Sequence, residues 1–171
     1  MDSADPQCVR EATASDAEAI ARVNVDSWRE TYSGVLADHH FSEEAFFGRW
    51  RQWKQRLSVT PLTGRTIVAL HEGEVVGFAA SGPAQEPDAD HGFPPVRPLQ
   101  LYSIYLLAAH QGTGLGQSML DAALGNEPAQ LWVLRGNARA ITFYERNGFV
   151  ADGVEAVDEY GPGLIDVRMV R

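Results

Sequence analysis

Read as a string of hydrophobic and polar positions, the chain alternates between short apolar runs and segments of helical period. Residues 9–12 read as a short strand. Thr13, followed three residues later by Asp16, marks a helix cap, and the apolar residues of AEAIARVNVDSWRETY then recur at helical spacing. A second helix is predicted to begin near Ser42. TIVALHE and VVGFAAS, joined through Glu72 to Glu74, read as a β-hairpin. Residues 82–98 hold five prolines with acids between them, which excludes a regular element and predicts a long loop. Beyond it the pattern predicts a strand over 100–107, a helix over 114–125, a strand over 130–134, a helix over 138–147, and closing strands near 149–156 and 164–170. The predicted order is β-α-α-β-β-β-α-β-α-β-β, without internal repeats or low-complexity tracts.

Composition narrows the class. With 171 residues, 44% hydrophobic and 22% charged, the chain suits a single globular domain over 1–171 with a true core. A net charge of -9 argues against nucleic-acid binding, which needs a basic face to displace counterions, and suits a cationic or neutral substrate better. The local basic run Arg49, Arg51, Lys54 and Arg56 reads as the solvated face of a helix. The single cysteine, Cys8, excludes an internal disulfide and reads as a buried bystander in the first strand. The N-terminus lacks the basic start and apolar stretch of a secretory signal, and no apolar run approaches the roughly 18 residues of a membrane helix, so a cytoplasmic protein without membrane contact is expected.

The chemistry concentrates between Leu99 and Phe149. There an apolar run feeds a glycine-rich turn that opens a helix, and a second apolar run feeds a second helix. A strand leading into such a turn suits phosphate, because small residues let the backbone close in and the first helical N–H groups point outward. In Gln111-Gly112-Thr113-Gly114-Leu115-Gly116 the third glycine comes one residue too early for a dinucleotide fingerprint, and the strand is far from the first, which disfavours a nicotinamide oxidoreductase. A P-loop is excluded because Gly116 is followed by Gln117 and Ser118 rather than Lys and Ser/Thr.

What remains is Q-x-x-G-x-G after one strand and Asn137-x-x-Ala140-x-x-Phe143-Tyr144-Glu145-x-x-Gly148-Phe149 after the next. This pattern resembles the GCN5-related N-acetyltransferase (GNAT) superfamily, closely over 99–149 and more loosely on either side. The resemblance implies an α/β fold with a mixed, mostly antiparallel sheet, splayed between strands four and five, with helices on both faces. It implies acetyl-coenzyme A as co-substrate, no metal, and transfer of the acetyl group to a primary amine of a small molecule or a protein N-terminus. By the same resemblance, the backbone of Ile104, Tyr105 and Leu106 holds the pantetheine arm, and an N–H near Leu106 polarises the thioester. Gln111 to Gly116 wraps the pyrophosphate, Asn137 and Ala140 also meet the cofactor, and Tyr144 protonates the leaving thiolate. Trp28, Tyr32 and Gln100 fall at the acceptor, with Trp50 as a further lining residue. Homodimers pairing through edge strands are expected.

Several positions depart from the family pattern. Thr113 and Gln117 stand where relatives usually place a cation, and no Lys or Arg occurs from Leu99 through Leu134, so the turn must work through amide donors, with Arg139 as a reinforcement from outside. Asn137 is also a good N-cap in its own right. Gln100 stands where many relatives have a glutamate base. Glu30, His110, Asp158, Glu159 or ordered water are left as candidate bases. The acids Glu86, Asp88 and Asp90 could attract a cationic acceptor or simply solvate a loop. Loss of the strand-four glutamate also leaves open a non-catalytic acyl-coenzyme A sensor.

Overall fold

The computed structural model describes residues 7–59, 62–84, 92–161 and 163–171. Its regular elements are β1 (Gln7–Glu11), α1 (Ala17–Tyr32), α2 (Glu43–Ser58), β2 (Arg65–His71), β3 (Glu74–Pro83), β4 (Leu99–Leu106), α3 (Leu115–Leu124), β5 (Ala129–Leu134), α4 (Ala138–Arg146), β6 (Val150–Val157) and β7 (Ile165–Val170). All predicted elements are present, with ends shifted by no more than two residues. The pattern did not disclose three 3₁₀ turns, Ala14–Asp16, Asp38–Phe41 and Ala108–His110. Nor did it disclose that the sheet runs β1-β2-β3-β4-β5-β7-β6, with β7 between β5 and β6. Pairing is parallel for β4–β5 and antiparallel for β1–β2, β5–β7 and β6–β7, the mixed α/β sheet that the resemblance implied. No helix among the described residues is long and apolar enough to cross a membrane.

The chain divides into two compact units. The first comprises the described residues up to Ala80 together with Ser103–Gly125; the second comprises those of Ser81–Tyr102 and Asn126–Arg171. In unit one, the Asp16 carboxylate accepts from the Thr13 N–H at 2.7 Å and its Oγ1 at 2.9 Å, which turns the chain from β1 into α1. Arg10 donates two further bonds to the same carboxylate, at 2.7 and 2.9 Å. Ser42 caps α2, its Oγ accepting from Ala45 N at 3.2 Å.

The sheet of unit one is covered on both faces. Phe78 on β3 joins Ile20 and Val23 of α1, Leu57 of α2 and Val68 of β2 in one apolar cluster. The neighbouring Gly77 points the other way, where an added Cβ would stand 3.1 Å from Met119 Cε on α3. Double coverage is why IVAL and VVGFAA read as continuous apolar runs rather than alternating ones.

Unit two is built around β5, where Ala129, Gln130 and Leu131 are fully buried and Met169 and Phe149 close the core. The edge strand β6 exposes Val150 and Val157, and its register on β7 shifts between Ala151 and Glu155. Such an irregularity twists an edge away from further pairing.

Two expectations need correction. Cys8 lies in β1 as predicted but is exposed, because the strand alternates and Val9 takes the covered side. The basic run of α2 is only half solvated. Arg51 and Lys54 are exposed, whereas the Arg49 guanidinium sits 4.5 Å from the Trp28 ring centre and Arg56 sits 5.5 Å from that of Trp53.

Candidate active site

In unit one, β4 ends at Leu106 and the chain enters a turn that reverses it into α3. Leu107 N donates to Val76 O of β3 at 3.0 Å, which extends the strand pairing by one residue. The 3₁₀ turn Ala108–His110 follows, with His110 N on Leu107 O (2.9 Å) and Gln111 N on Ala108 O (3.2 Å). Side chains then close the interior. Gln111 Nε2 donates to Leu106 O at 2.8 Å and Thr113 Oγ1 to His110 O at 2.7 Å. Gln111 Oε1 is buried with no hydrogen-bond partner among the described residues.

Gly112 and Gly114 adopt φ of +80° and +92°. These are left-handed conformations that a side chain disfavours, and nothing lies within 4 Å of a Cβ built at either residue. Backbone conformation rather than crowding therefore requires glycine here. Gly114 is the N-cap of α3 and has no side chain with which to cap it. The N-cap therefore supplies no side-chain acceptor to the start of α3, the positive end of the helix dipole. No carboxylate occurs from Leu99 to Ser118 to oppose an anion.

The first two helices bring an aromatic group to the same unit. Trp28 meets Tyr32 edge-on at 5.6 Å between ring centres and Tyr105 of β4 at 6.4 Å. Arg49 stacks on Trp28 and donates to His40 O at 2.9 Å, while Arg29 donates to Phe41 O at 2.7 Å. Both arginines thereby staple the connection between α1 and α2. Burial, with His39 and Arg49 adding like charge, holds the His40 imidazole below its ordinary range.

In unit two, Asn137 is the N-cap of α4, its Oδ1 accepting from Ala140 N at 3.1 Å. One face of α4 is strongly apolar and ends in Tyr144, which is 7% exposed and packs edge-on against Phe149 at 5.9 Å. Gln100, 5% exposed, accepts from Gln130 Nε2 at 3.0 Å. Gln130 Oε1 in turn accepts from Val96 N at 2.8 Å and Arg97 N at 3.3 Å. The parallel register of β4 on β5 covers three pairs, Leu99↔Ala129 to Leu101↔Leu131, and the remainder of β4 belongs to unit one.

This layout can be set beside known proteins. Residues 63–151 match the family model described as an acetyltransferase (GNAT) domain. The chain belongs to the GNAT acetyltransferase family. It is 31% identical over 143 residues to YuaI, an uncharacterized N-acetyltransferase of Bacillus subtilis, a match covering 80% of this chain and 76% of that protein. Among solved structures it resembles the PaiA N-acetyltransferase of Thermoplasma acidophilum in complex with coenzyme A, with TM-score 0.70 and 18% identity over 96% of this chain and 98% of the other. It also resembles YncA of Salmonella typhimurium with acetyl-coenzyme A, with TM-score 0.68 and 18% identity over 98% and 94% of the two chains.

Within this GNAT chain, unit one carries Ile104, Tyr105, Leu106 and Gln111 to Gly116 together with Trp28 and Tyr32, whereas Gln100, Asn137, Ala140 and Tyr144 fall in unit two. Trp50 packs on Phe46 in the core cluster of α1 and α2. Of the candidate bases, Glu30 Oε2 accepts from Ala108 N at 2.9 Å and Asp158 Oδ1 from Tyr160 N at 2.7 Å. The His110 ring lies 4.8 Å from that of His71, and Glu159 is exposed. Glu86, Asp88 and Asp90 lie outside the described residues.

Sequence reasoning missed Gly77. A Cβ there would come within 2.8 Å of Leu106 Cδ1 and 2.9 Å of Tyr105 O, so glycine allows β3 to approach the end of β4 closely. The available signal was a lone glycine inside an apolar strand.

Proposed function

We propose that the protein transfers an acetyl group from acetyl-coenzyme A directly to a primary amine of a small molecule or a protein N-terminus. The observation that carries this reading is the turn after β4, where Gly112 and Gly114 hold left-handed backbone ahead of an uncapped helix start in a chain of this family. The residues present suit a pyrophosphate: amide donors, small side chains and a helix N-terminus, with no acid in the turn's own sequence, although the Glu30 carboxylate reaches Ala108 N from α1. In this reading Gln111 to Gly116 bind the pyrophosphate, and the backbone of Ile104 to Leu106 binds the pantetheine arm. Asn137 and Ala140 are assigned to the cofactor as well.

In the reaction the neutral amine attacks the thioester carbonyl carbon, forming a C–N bond. The C–S bond then breaks with its electron pair going to sulfur, and the amine proton leaves to water or to a base. Tyr144 is assigned as the acid that protonates the thiolate. A phenol with pKa near 10 and a thiol near about 8.5 are close enough for that exchange in a dry site. The N–H near Leu106 is assigned to the developing oxyanion. Trp28 and Tyr32 are assigned to the acceptor, where an aromatic wall favours a cationic amine before its deprotonation.

The test is acceptor-dependent thiol release from acetyl-coenzyme A across polyamines, amino acids, aminoglycosides and peptide N-termini, comparing the native protein with Tyr144→Phe. Release that falls at least about tenfold in the variant supports both the reaction and the acid. A second reading, a non-catalytic acyl-coenzyme A sensor, draws on Gln100, an amide engaged by Gln130 where many relatives place a carboxylate. Acetyl-coenzyme A binding with no release on any acceptor favours that reading.

A further inference from the structure

We infer that Glu30 is a positioning residue that caps the cofactor-binding turn, rather than the base of the reaction. The inference rests on the reading of that turn given above. Glu30 lies in the last turn of α1, and its Oε2 accepts from the backbone N–H of Ala108 at 2.9 Å, across 78 positions of sequence. Ala108 opens the 3₁₀ turn that separates β4 from Gln111 and the two left-handed glycines.

A short helical turn begins with backbone N–H groups that its own hydrogen bonds do not satisfy. The usual remedy is Ser, Thr, Asp or Asn at the N-cap, but the N-cap here is Leu107, which has no side-chain acceptor. Neighbouring donors are tied locally: Leu107 N on Val76 O, His110 N on Leu107 O, Gln111 N on Ala108 O, and Gln111 Nε2 on Leu106 O. The Ala108 N–H instead takes its acceptor from α1. Glu30 also sits between Trp28 and Tyr32 on α1, so one hydrogen bond links the helix assigned to the acceptor with the turn assigned to the pyrophosphate.

Charge sharpens the inference. A carboxylate beside a pyrophosphate site adds repulsion, so any benefit from Glu30 to cofactor binding must come through the hydrogen bond that shapes the turn. Charge and hydrogen bond are separable by substitution. Glutamine keeps an oxygen that can accept the Ala108 N–H but loses the charge, and alanine loses both.

The experiment measures acetyl-coenzyme A dissociation constants by calorimetry for the native protein, Glu30→Gln and Glu30→Ala, together with kcat at saturating cofactor as a function of pH. Thermal unfolding controls for folding. The expected result is binding about fivefold weaker in Glu30→Ala, within about twofold of native in Glu30→Gln, and a pH profile of kcat that neither variant moves. Loss of kcat in both variants with binding intact overturns the inference and makes Glu30 the base. Tighter binding in both also overturns it, since charge alone would then be at work. Native binding that Glu30→Ala leaves unchanged overturns the role of Glu30 but not the proposed function. Failure of the native protein to bind acetyl-coenzyme A overturns the proposed function, and this inference with it.

Discussion

Two irregular segments flank β4, and they are anchored by opposite means. The loop before it, 92–98, is held by buried side chains reaching out of regular strands. Gln130 takes the N–H groups of Val96 and Arg97, and Arg168, 5% exposed and paired with Asp152 at 2.7 Å, donates to Pro94 O at 2.9 Å. The turn after β4 is held by its own backbone, two left-handed glycines, short local side-chain bonds and one distant carboxylate. The first arrangement satisfies the Val96 and Arg97 N–H groups internally. The second leaves the start of α3 without a side-chain cap, which suits an anion. Disturbing the first segment should therefore cost stability, and disturbing the second should cost affinity.

The largest expected effect breaks the first anchor. Gln130→Leu keeps approximate volume but strands the Val96 and Arg97 N–H groups and the Gln100 carbonyl in a site that is 0% exposed. About 2–4 kcal/mol of unfolding free energy should be lost, read from the denaturant midpoint, with acetyl-coenzyme A affinity kept within about twofold. Equal loss of affinity and stability would erase the contrast between the segments.

Acid titration is next, because the entry into α1 turns on a carboxylate, whereas the Val96 and Arg97 N–H groups are taken by an amide. Arg10 first, then the Thr13 donors, outweigh burial and hold the Asp16 carboxyl down to about 2 from its ordinary 3.8. A group with a lowered folded-state pKa stabilises fully above its unfolded value and loses that contribution as protons bind in the folded state. Stability should therefore fall from about pH 4 to pH 2, by about 1–2 kcal/mol after discounting for the half-exposed Arg10. Asp16→Asn should flatten that limb of the pH–stability curve, and an unchanged slope would remove Asp16 from the account.

The smallest effect on stability sharpens the second anchor. Gly114→Ala forces a side chain into φ +92° with nothing within 4 Å to clash, so about 1 kcal/mol of stability should go. Acetyl-coenzyme A affinity should fall further, by about tenfold, because the distorted residue precedes the donors at the start of α3. Calorimetric titration beside thermal unfolding separates the two.

Much of this was legible in the chain itself. Thr13 with Asp16, Ser42 before its helix and the strand leading into QGTGLG are local signals, and the elements they predict lie within two residues of the observed ends, whereas much of the predicted loop over 82–98 falls outside the described residues. Asn137 as an N-cap was equally local. Cys8 was not legible, since which side of β1 is covered depends on what packs against it. Arg49 looked like one charge among several on a helix face until α1 supplied Trp28 beneath it.

The sequence by itself determined the order of elements, the glycine-rich turn after β4 and the family, because caps, periodicity and turn chemistry act between residues a few positions apart. Tertiary structure alone decided that β7 lies between β5 and β6, that Gln100 meets Gln130, and that Glu30 meets Ala108. Those partners lie 30 to 78 positions apart in sequence, and a hydrogen bond of a few ångströms has no signature in the chain until folding brings its two groups together.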